Sequence, residues 1–208
     1  MANEPTNKRT VAFFDGQNLF HHAKSAFGYE YPNYCPLALA SQICKQENFN
    51  LQEILFYTGF PSKAENAFWG HFWESKLLAM SRMKIKTFSR PLRTRKKTIR
   101  LSDGIEYTYD VTQEKGIDVR ITIDIMRMVY MDKLDVVLLF SQDQDFSEIA
   151  NEVRAVAKKQ NRWIKIASAF PVGPAANNLR GVNDTDWIKI DRTLYDKCID
   201  NRDHRPKR

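Results

Sequence analysis

The chain has 208 residues, and its 32 Lys and Arg against 25 Asp and Glu leave a net charge of +7. That length suits one domain with a sizeable core, and 43% hydrophobic content excludes wholesale disorder. No apolar stretch approaches the ~18 residues of a membrane helix, the first ten residues hold no apolar signal core, and three unpatterned cysteines exclude a disulfide framework or a zinc module. These exclusions lead to the expectation of a soluble cytoplasmic protein without a membrane partner.

Val11 to Phe14 predicts a first strand, and residues 17–27 and 37–47 predict helices. Glu53 to Thr58 predicts a second strand. Residues 65–82 read as a long helix, with Phe68, Phe72, Leu77, Leu78 and Met80 along its apolar stripe. Lys84 to Phe88 predicts a third strand. Residues 117–131 place Ile117, Ile121, Ile125, Met128 and Val129 at helical spacing. Val136 to Phe140 is a continuous apolar run, the pattern of a strand buried on both faces. A helix over 146–159 and a fifth strand over Trp163 to Ala167 follow, and Trp187 to Ile190 is a candidate sixth strand. Strand–helix alternation of this kind implies an α/β fold, a parallel sheet with helices on both faces.

Residues 91–115 interrupt that rhythm. Thr98 to Leu101, Ser102-Asp103-Gly104 and Ile105 to Tyr109 read as a β-hairpin inserted into the domain. The segment from Arg82 to Arg100 carries nine Lys or Arg and no acid. A solvated face is the bland reading. A polyanion surface is the stronger one, because phosphate contacts reward positive charge without exact placement. Residues 200–208 are polar and basic, and a loose tail is expected after a single domain over 1–199.

Ligands of open parallel sheets collect beyond the carboxyl ends of the strands, where strand order reverses. With the order 3-2-1-4-5, strands one and four flank that point. Asp15 follows strand one, Asp143 and Asp145 follow strand four, and Asp118 stands near the start of the helix before it. Clustered carboxylates stay ionised only with a compensating cation or several donors. Oxygen ligands without His or Cys suit Mg2+ or Mn2+, and such an ion can direct water against a phosphodiester. Each aspartate also has a structural explanation. Asp15-Gly16 fits a turn, Asp118 fits a helix N-terminus, and Asp145 with Glu148 fits a capping box. Asp124 lies about 240° round the helix from Asp118. Arg120 and Arg127 are its natural ion-pair partners, so its expected role is structural. His21 and His22 are weaker candidates. No Ser/His/Asp or Cys/His arrangement and no nucleotide-cofactor loop is indicated.

Three motifs in order resemble the NYN domain of LabA-like bacterial proteins, within the PIN-like nuclease superfamily. They are Phe14-Asp15-Gly16-Gln17-Asn18-Leu19, Glu114-Lys115-Gly116-Ile117-Asp118-Val119 with Asp124, and Ser141-Gln142-Asp143-Gln144-Asp145-Phe146. The similarity covers roughly residues 11–190, with the basic hairpin as an insertion. It implies a PIN-like three-layer αβα fold, a divalent-metal site and ribonuclease activity. Carried over by motif, Asp15, Asp118, Asp143 and Asp145 are the metal ligands, and Asn18 supports them. Two features depart from the pattern. Gln142 stands where many relatives have Gly, and Pro171 to Gly181 offers no clean counterpart of a later serine-containing loop.

The expected function is therefore Mg2+- or Mn2+-dependent cleavage of RNA, as an endonuclease. Arg90, Arg93, Arg95, Lys96, Lys97 and Lys115 are the expected contacts to the RNA backbone, and homo-oligomer formation is compatible with the sequence. The runner-up is a catalytically silent RNA-binding or regulatory module of the same fold. An aspartyl-phosphate enzyme ranks low, because that chemistry wants a second acid at position 17, which is Gln.

Overall fold

The computed structural model describes residues 2–101, 104–113 and 115–207, and omits the side chains at 93, 94, 110, 112 and 113. Six strands form the central sheet: β1 (Arg9–Asp15), β2 (Asn50–Phe60), β3 (Lys86–Pro91), β6 (Val136–Phe140), β7 (Lys165–Pro171) and β8 (Asp186–Ile190). Their order is β3-β2-β1-β6-β7-β8, and every neighbouring pair is parallel. The five expected strands stand in the expected order, and β8 extends the edge beyond β7. Two further strands, β4 (Arg93–Arg100) and β5 (Glu106–Gln113), pair only with each other, as the basic hairpin. They are longer than the sequence signals suggested. Ser102 and Asp103 of the expected turn lie outside the described residues, while Gly104 takes the positive φ of 84° that a tight turn demands.

The helices are α1 (Gly16–Phe27), α2 (Pro36–Gln46), α3 (Ala67–Arg82), α4 (Ile117–Tyr130), α5 (Ser147–Lys159) and the short α6 (Arg192–Asp196). Alternate residues of the central strands feed two separate cores. Ala12 and Phe14 of β1, with Leu138 and Phe140 of β6, join residues of α1, α2, α3 and α6. Val11, Phe13, Val137 and Leu139 join residues of α4 and α5. This two-residue period produces the three-layer αβα arrangement. Phe14 and Phe140 are register partners whose rings stack at 3.8 Å and 7°. That contact fixes the ends of β1 and β6 side by side.

The C-terminal segment, where the sequence suggested a loose tail, is anchored through Asp200 and His204, while its other described residues are mostly exposed. His204 is 5% exposed, and its Nε2 lies 3.0 Å from Asp200 Oδ2. Its Nδ1 lies 3.2 Å from Ser75 Oγ on α3. The buried Lys76 ammonium donates to the Tyr34 carbonyl at 2.9 Å and faces Asp200 at 3.6 Å. A Ser, His and Asp constellation thus exists, which sequence inspection did not indicate, because 129 positions separate Ser75 from His204. Its carboxylate is already shared among Lys76, Arg202 and His204, and its geometry ties the tail to α3.

Burial would raise Asp200, but hydrogen bonds from Arg202 and His204 and the Lys76 charge hold it at about 2. An ionised Asp200 accepts from Nε2–H, so neutral His204 accepts the Ser75 hydroxyl at Nδ1. Burial pushes His204 below its usual value, more than Asp200 pulls it back. Burial pushes Lys76 down to about 8, so it stays charged near neutrality. A depressed His pKa means that the unfolded chain takes up the proton first as pH falls. His204 therefore stabilises the fold fully above about pH 6.5 and progressively less below it. His204→Ala should cost about 2 kcal/mol at neutral pH through two lost hydrogen bonds and lost packing. Urea melts of both proteins at about pH 7.5 and about pH 5.5 should show the gap narrowing at the lower pH. A gap that widens there would contradict the assignment.

Candidate active site

In a wholly parallel sheet all carboxyl ends lie at one end of the molecule. β1 and β6 are neighbours, and their chains leave toward opposite faces of the sheet, into α1 and α5. This is the point of reversal expected to bind ligands.

Asp15 is the last residue of β1 and also the N-cap of α1. Its Oδ1 accepts from the Asn18 backbone N–H at 3.2 Å. No connecting residue separates strand from helix, and this tight passage needs Gly16. A Cβ there would come within 2.9 Å of the Phe56 ring and the Tyr57 carbonyl. Asp15 is only 8% exposed. Its Oδ2 accepts from Ser141 Oγ at 3.2 Å, immediately after β6.

Ser141 joins the two halves of the site. It also accepts the Asp143 backbone N–H at 3.1 Å through the same hydroxyl. Asn18 Oδ1 accepts from the Gln142 N–H at 2.9 Å, a second bridge from α1 to the segment after β6. Asp143 Oδ1 accepts from the Asp145 N–H at 3.0 Å, capping a single 3-10 turn over Gln144–Phe146. Asp15, Asn18, Asp143 and Asp145 are thus brought into one hydrogen-bonded segment. The expected Asp145–Glu148 capping box does not form, because that turn precedes α5, whose N-cap is Phe146 without a side-chain hydrogen bond.

Asp118 stands in the first turn of α4, exposed, after the left-handed Gly116 at φ 71°. Among the described residues its carboxylate has no hydrogen-bond or ion-pair partner, and neither has that of Asp145. Asp124 is buried on α4 and accepts from Tyr57 Oη at 2.9 Å. Arg120 and Arg127 pair with it at 2.7 and 3.0 Å, the structural role expected for it. Burial first and the Asp124 charge second push the Tyr57 phenol well above its usual range.

His22 is half-buried beside the site. Burial and His21 lower its pKa, and the Asp143 carboxylate opposes them. Arg90 and Lys115 meet at the root of the hairpin, where Arg90 Nη1 donates to the Lys115 carbonyl at 3.4 Å. Arg90 and Arg120 both stand over the Phe88 ring, at 5.3 and 4.8 Å. Arg95, Lys96 and Lys97 are exposed on β4. The Arg93 side chain and Glu114 lie outside the described residues.

Sequence inspection assigned no role to Ser141, although its place directly after a buried strand was a usable signal. Gln142 and Gln144 were also missed as structural ties. Gln142 Nε2 donates to the Asn178 and Arg180 carbonyls at 3.2 and 2.7 Å. Gln144 donates to the Gly181 carbonyl and accepts from the Asn183 N–H. The two amides hold the loop between β7 and β8 against the site.

The donor set is all oxygen, which fits a magnesium-type ion held by one or two carboxylates plus water and phosphate. It does not form a larger cage: among the described residues no group of three or more His, Cys, Asp or Glu stands close enough to hold a metal. Of the four expected ligands, Asp15, Asp143 and Asp145 belong to one hydrogen-bonded segment, and Asp118 lies outside it.

Among the described residues no helix is long and apolar enough to cross a membrane. No functionally curated protein matches the chain. One similar solved structure is the crystal structure of a Vibrio parahaemolyticus protein of unknown function. It is 15% identical, with a TM-score of 0.57 over 91% of this chain and 97% of that one, a likeness of fold alone. The NYN domain model matches residues 9–178, which takes in all three motifs and the inserted hairpin. The chain belongs to the NYN domain family, within the PIN-like nuclease superfamily.

Proposed function

We propose that this protein is a divalent-metal-dependent ribonuclease, an endonuclease of the LabA-like type, acting beyond the ends of β1 and β6. The observation that carries the reading is the single hydroxyl of Ser141, which donates to Asp15 and accepts from the Asp143 backbone. It fixes two acids at the point where a parallel sheet binds ligands. Asp15 and Asp143 would hold Mg2+ or Mn2+, with Asp118 and Asp145 reaching it through water. A bound ion of this kind polarises a phosphate and lowers the pKa of its water.

The chain's own residues orient the reaction. Ser141 and the Asn18 N–H hold the Asp15 carboxylate in one rotamer. Asn18 Oδ1 fixes the backbone that carries Asp143. Arg90 and Lys115, at the same end of the sheet, supply positive charge for a polyanion. RNA is the substrate class that these features favour.

A second reading is a catalytically silent RNA-binding module, favoured by the lack, among the described residues, of three acids close enough to hold a metal. The two readings differ in their response to metal. Under the nuclease reading, wild-type protein cleaves single-stranded RNA with Mn2+ and stops on addition of EDTA. Asp143→Asn should lower turnover at least about a hundredfold, since even outer partners of a metal site are worth about 10- to 100-fold. Its melting temperature without metal should stay near that of wild type, because Asn can still cap the 3-10 turn. Wild-type turnover in the purified variant would remove Asp143 from the site.

Metal should also stabilise the fold by mass action, by about 2.7 kcal/mol at a hundredfold excess over its dissociation constant. Asp15→Asn combined with Asp143→Asn should abolish that gain, and Asn remains a competent helix cap at position 15. Thermal melts with Mn2+ and with monovalent salt of equal ionic strength separate the outcomes. No Mn2+-specific shift in wild type would leave the silent module as the better account.

A further inference from the structure

The hairpin has two chemically different faces. In an antiparallel pair, directly opposed residues share a face, and successive pairs alternate. One face carries the pairs Lys96↔Asp110, Thr98↔Thr108 and Arg100↔Glu106. On it the Thr98 and Thr108 hydroxyls lie 2.8 Å apart, and Arg100 is the register partner of Glu106. The other face carries Arg95↔Val111, Lys97↔Tyr109 and Ile99↔Tyr107, then Leu101 and Ile105. Among the described residues no acid stands on it.

Much of this second face is open to solvent, with Tyr109 and Val111 half-buried. Tyr107 is 59% exposed and Ile105 61% exposed, and no described hairpin side chain belongs to either core. Tyr107 and Tyr109 form a stacked pair, with centroids 6.0 Å apart and planes 24° from parallel. Two-stranded hairpins are marginal on their own, and an apolar ribbon face left in water is a liability unless it has a ligand.

Its position relates it to the acids. The first leg leaves β3 at Pro91, and Leu92 lines a cleft with Gln17, Phe20, His21 and Trp69 beside the start of α1. The second leg leads into α4 and Asp118. The arm is thus rooted at the carboxyl end of the sheet, with its first leg beside the start of α1 and its second leading into α4.

We infer that the Tyr107/Tyr109 face of the hairpin is a platform for single-stranded nucleic acid, with bases stacked on the two tyrosines and phosphates paired to Arg95 and Lys97. Stacking rings beside a positive backbone track are what a single strand requires. A duplex hides its base faces and offers only phosphates. The charge complementarity selects a polyanion over a second copy of this chain, whose own ribbon carries the same positive charge. The inference rests on the proposed nuclease reading for its substrate class and adds to it the strandedness and the binding face. It also separates Lys97, on the platform, from Lys96, on the opposite face.

The test measures fluorescence anisotropy of the full chain in EDTA, so that cleavage does not intervene. The probes are a single-stranded oligouridylate of about 20 nucleotides and an RNA duplex of the same length. Tyr107→Ala with Tyr109→Ala should weaken single-strand binding on the order of tenfold per ring and leave duplex binding within about twofold. Tyr107→Phe with Tyr109→Phe should retain wild-type affinity, since a π-face is all that stacking needs. Lys97→Ala should flatten the salt dependence by about 0.7 in log affinity per log salt, and Lys96→Ala by clearly less. The arm contributes to neither core, so circular dichroism melts of the variants should match wild type.

Unchanged single-strand affinity in the double alanine variant overturns the platform, as does a wild-type preference for duplex. Equal losses for Lys96→Ala and Lys97→Ala overturn the assignment of faces. Sedimentation showing a wild-type dimer that the double alanine variant breaks would make a second copy the occupant. A wild type that binds through the tyrosines but never cleaves with Mn2+ would sink the nuclease reading alone. Cleavage with indifferent tyrosines would sink only the platform.

Discussion

The site depends on a single residue doing two jobs at the end of β1. Asp15 ends the strand and caps the helix that follows, so the chain turns from sheet to α1 with no intervening loop. A side-chain cap is worth about 1 kcal/mol, which is small beside the cost of misplacing a buried carboxylate. The larger consequence is geometric. A carboxylate held by the Asn18 N–H on one oxygen and Ser141 on the other cannot drift as a loop acid would. Gly16 makes this possible by letting the helix start in contact with Phe56 and Tyr57 of β2. The position of one negative charge is thereby coupled to the packing of two adjacent strands.

Charge is distributed along the strand axis to suit that arrangement. At the amino end of the sheet, Asp132 and Asp135 are bound up with arginines. Asp135 accepts from the Arg9 backbone and guanidinium, and Arg9 also reaches Asp132, which Arg162 shares. Burial would raise Asp135, but those bonds from Arg9 hold it below the usual carboxylate range. At the carboxyl end the sign is segregated rather than paired. Acids gather over β1 and β6, and bases gather on β3 and the arm. An arrangement of this kind attracts a polyanion to one side and a cation to the other.

Much of this was legible in the sequence because it depends on short-range pattern. Strand–helix alternation and the apolar run at Val136 to Phe140 gave the layers, and i−4 and i+3 spacing gave the Asp124 ion pairs. The three motifs placed Asp15, Asp143 and Asp145 at strand ends. What was not legible depends on contacts between distant positions. The Ser75–His204 contact spans 129 residues, and the ties from Gln142 to Asn178 and Arg180 span 36 and 38. Gln142 stood out only as a departure from family pattern. Its amide reaches two carbonyls of the β7–β8 loop, something a glycine could not do. The two faces of the hairpin also required the register, since a slip by one residue would exchange them.

The acids themselves separate into two classes by their partners. Asp124 has Tyr57, Arg120 and Arg127, and Asp200 has Lys76, Arg202 and His204. These carboxylates are consumed by structure, and removing one would leave its partners exposed to desolvation cost. Asp143 uses one oxygen on the Asp145 N–H, while the carboxylates of Asp118 and Asp145 engage no described donor. In a chain with 32 bases and 25 acids, leaving such groups unpaired at the business end of a sheet is not forced by any shortage of cations. Exposed ion pairs are worth at most about 1 kcal/mol, so stability alone gives little reason to pair them. Their spare lone pairs and unneutralised charge are retained where a cation or a phosphate-bearing ligand would meet them, which is the physical difference between an acid that holds a fold together and one that serves a site.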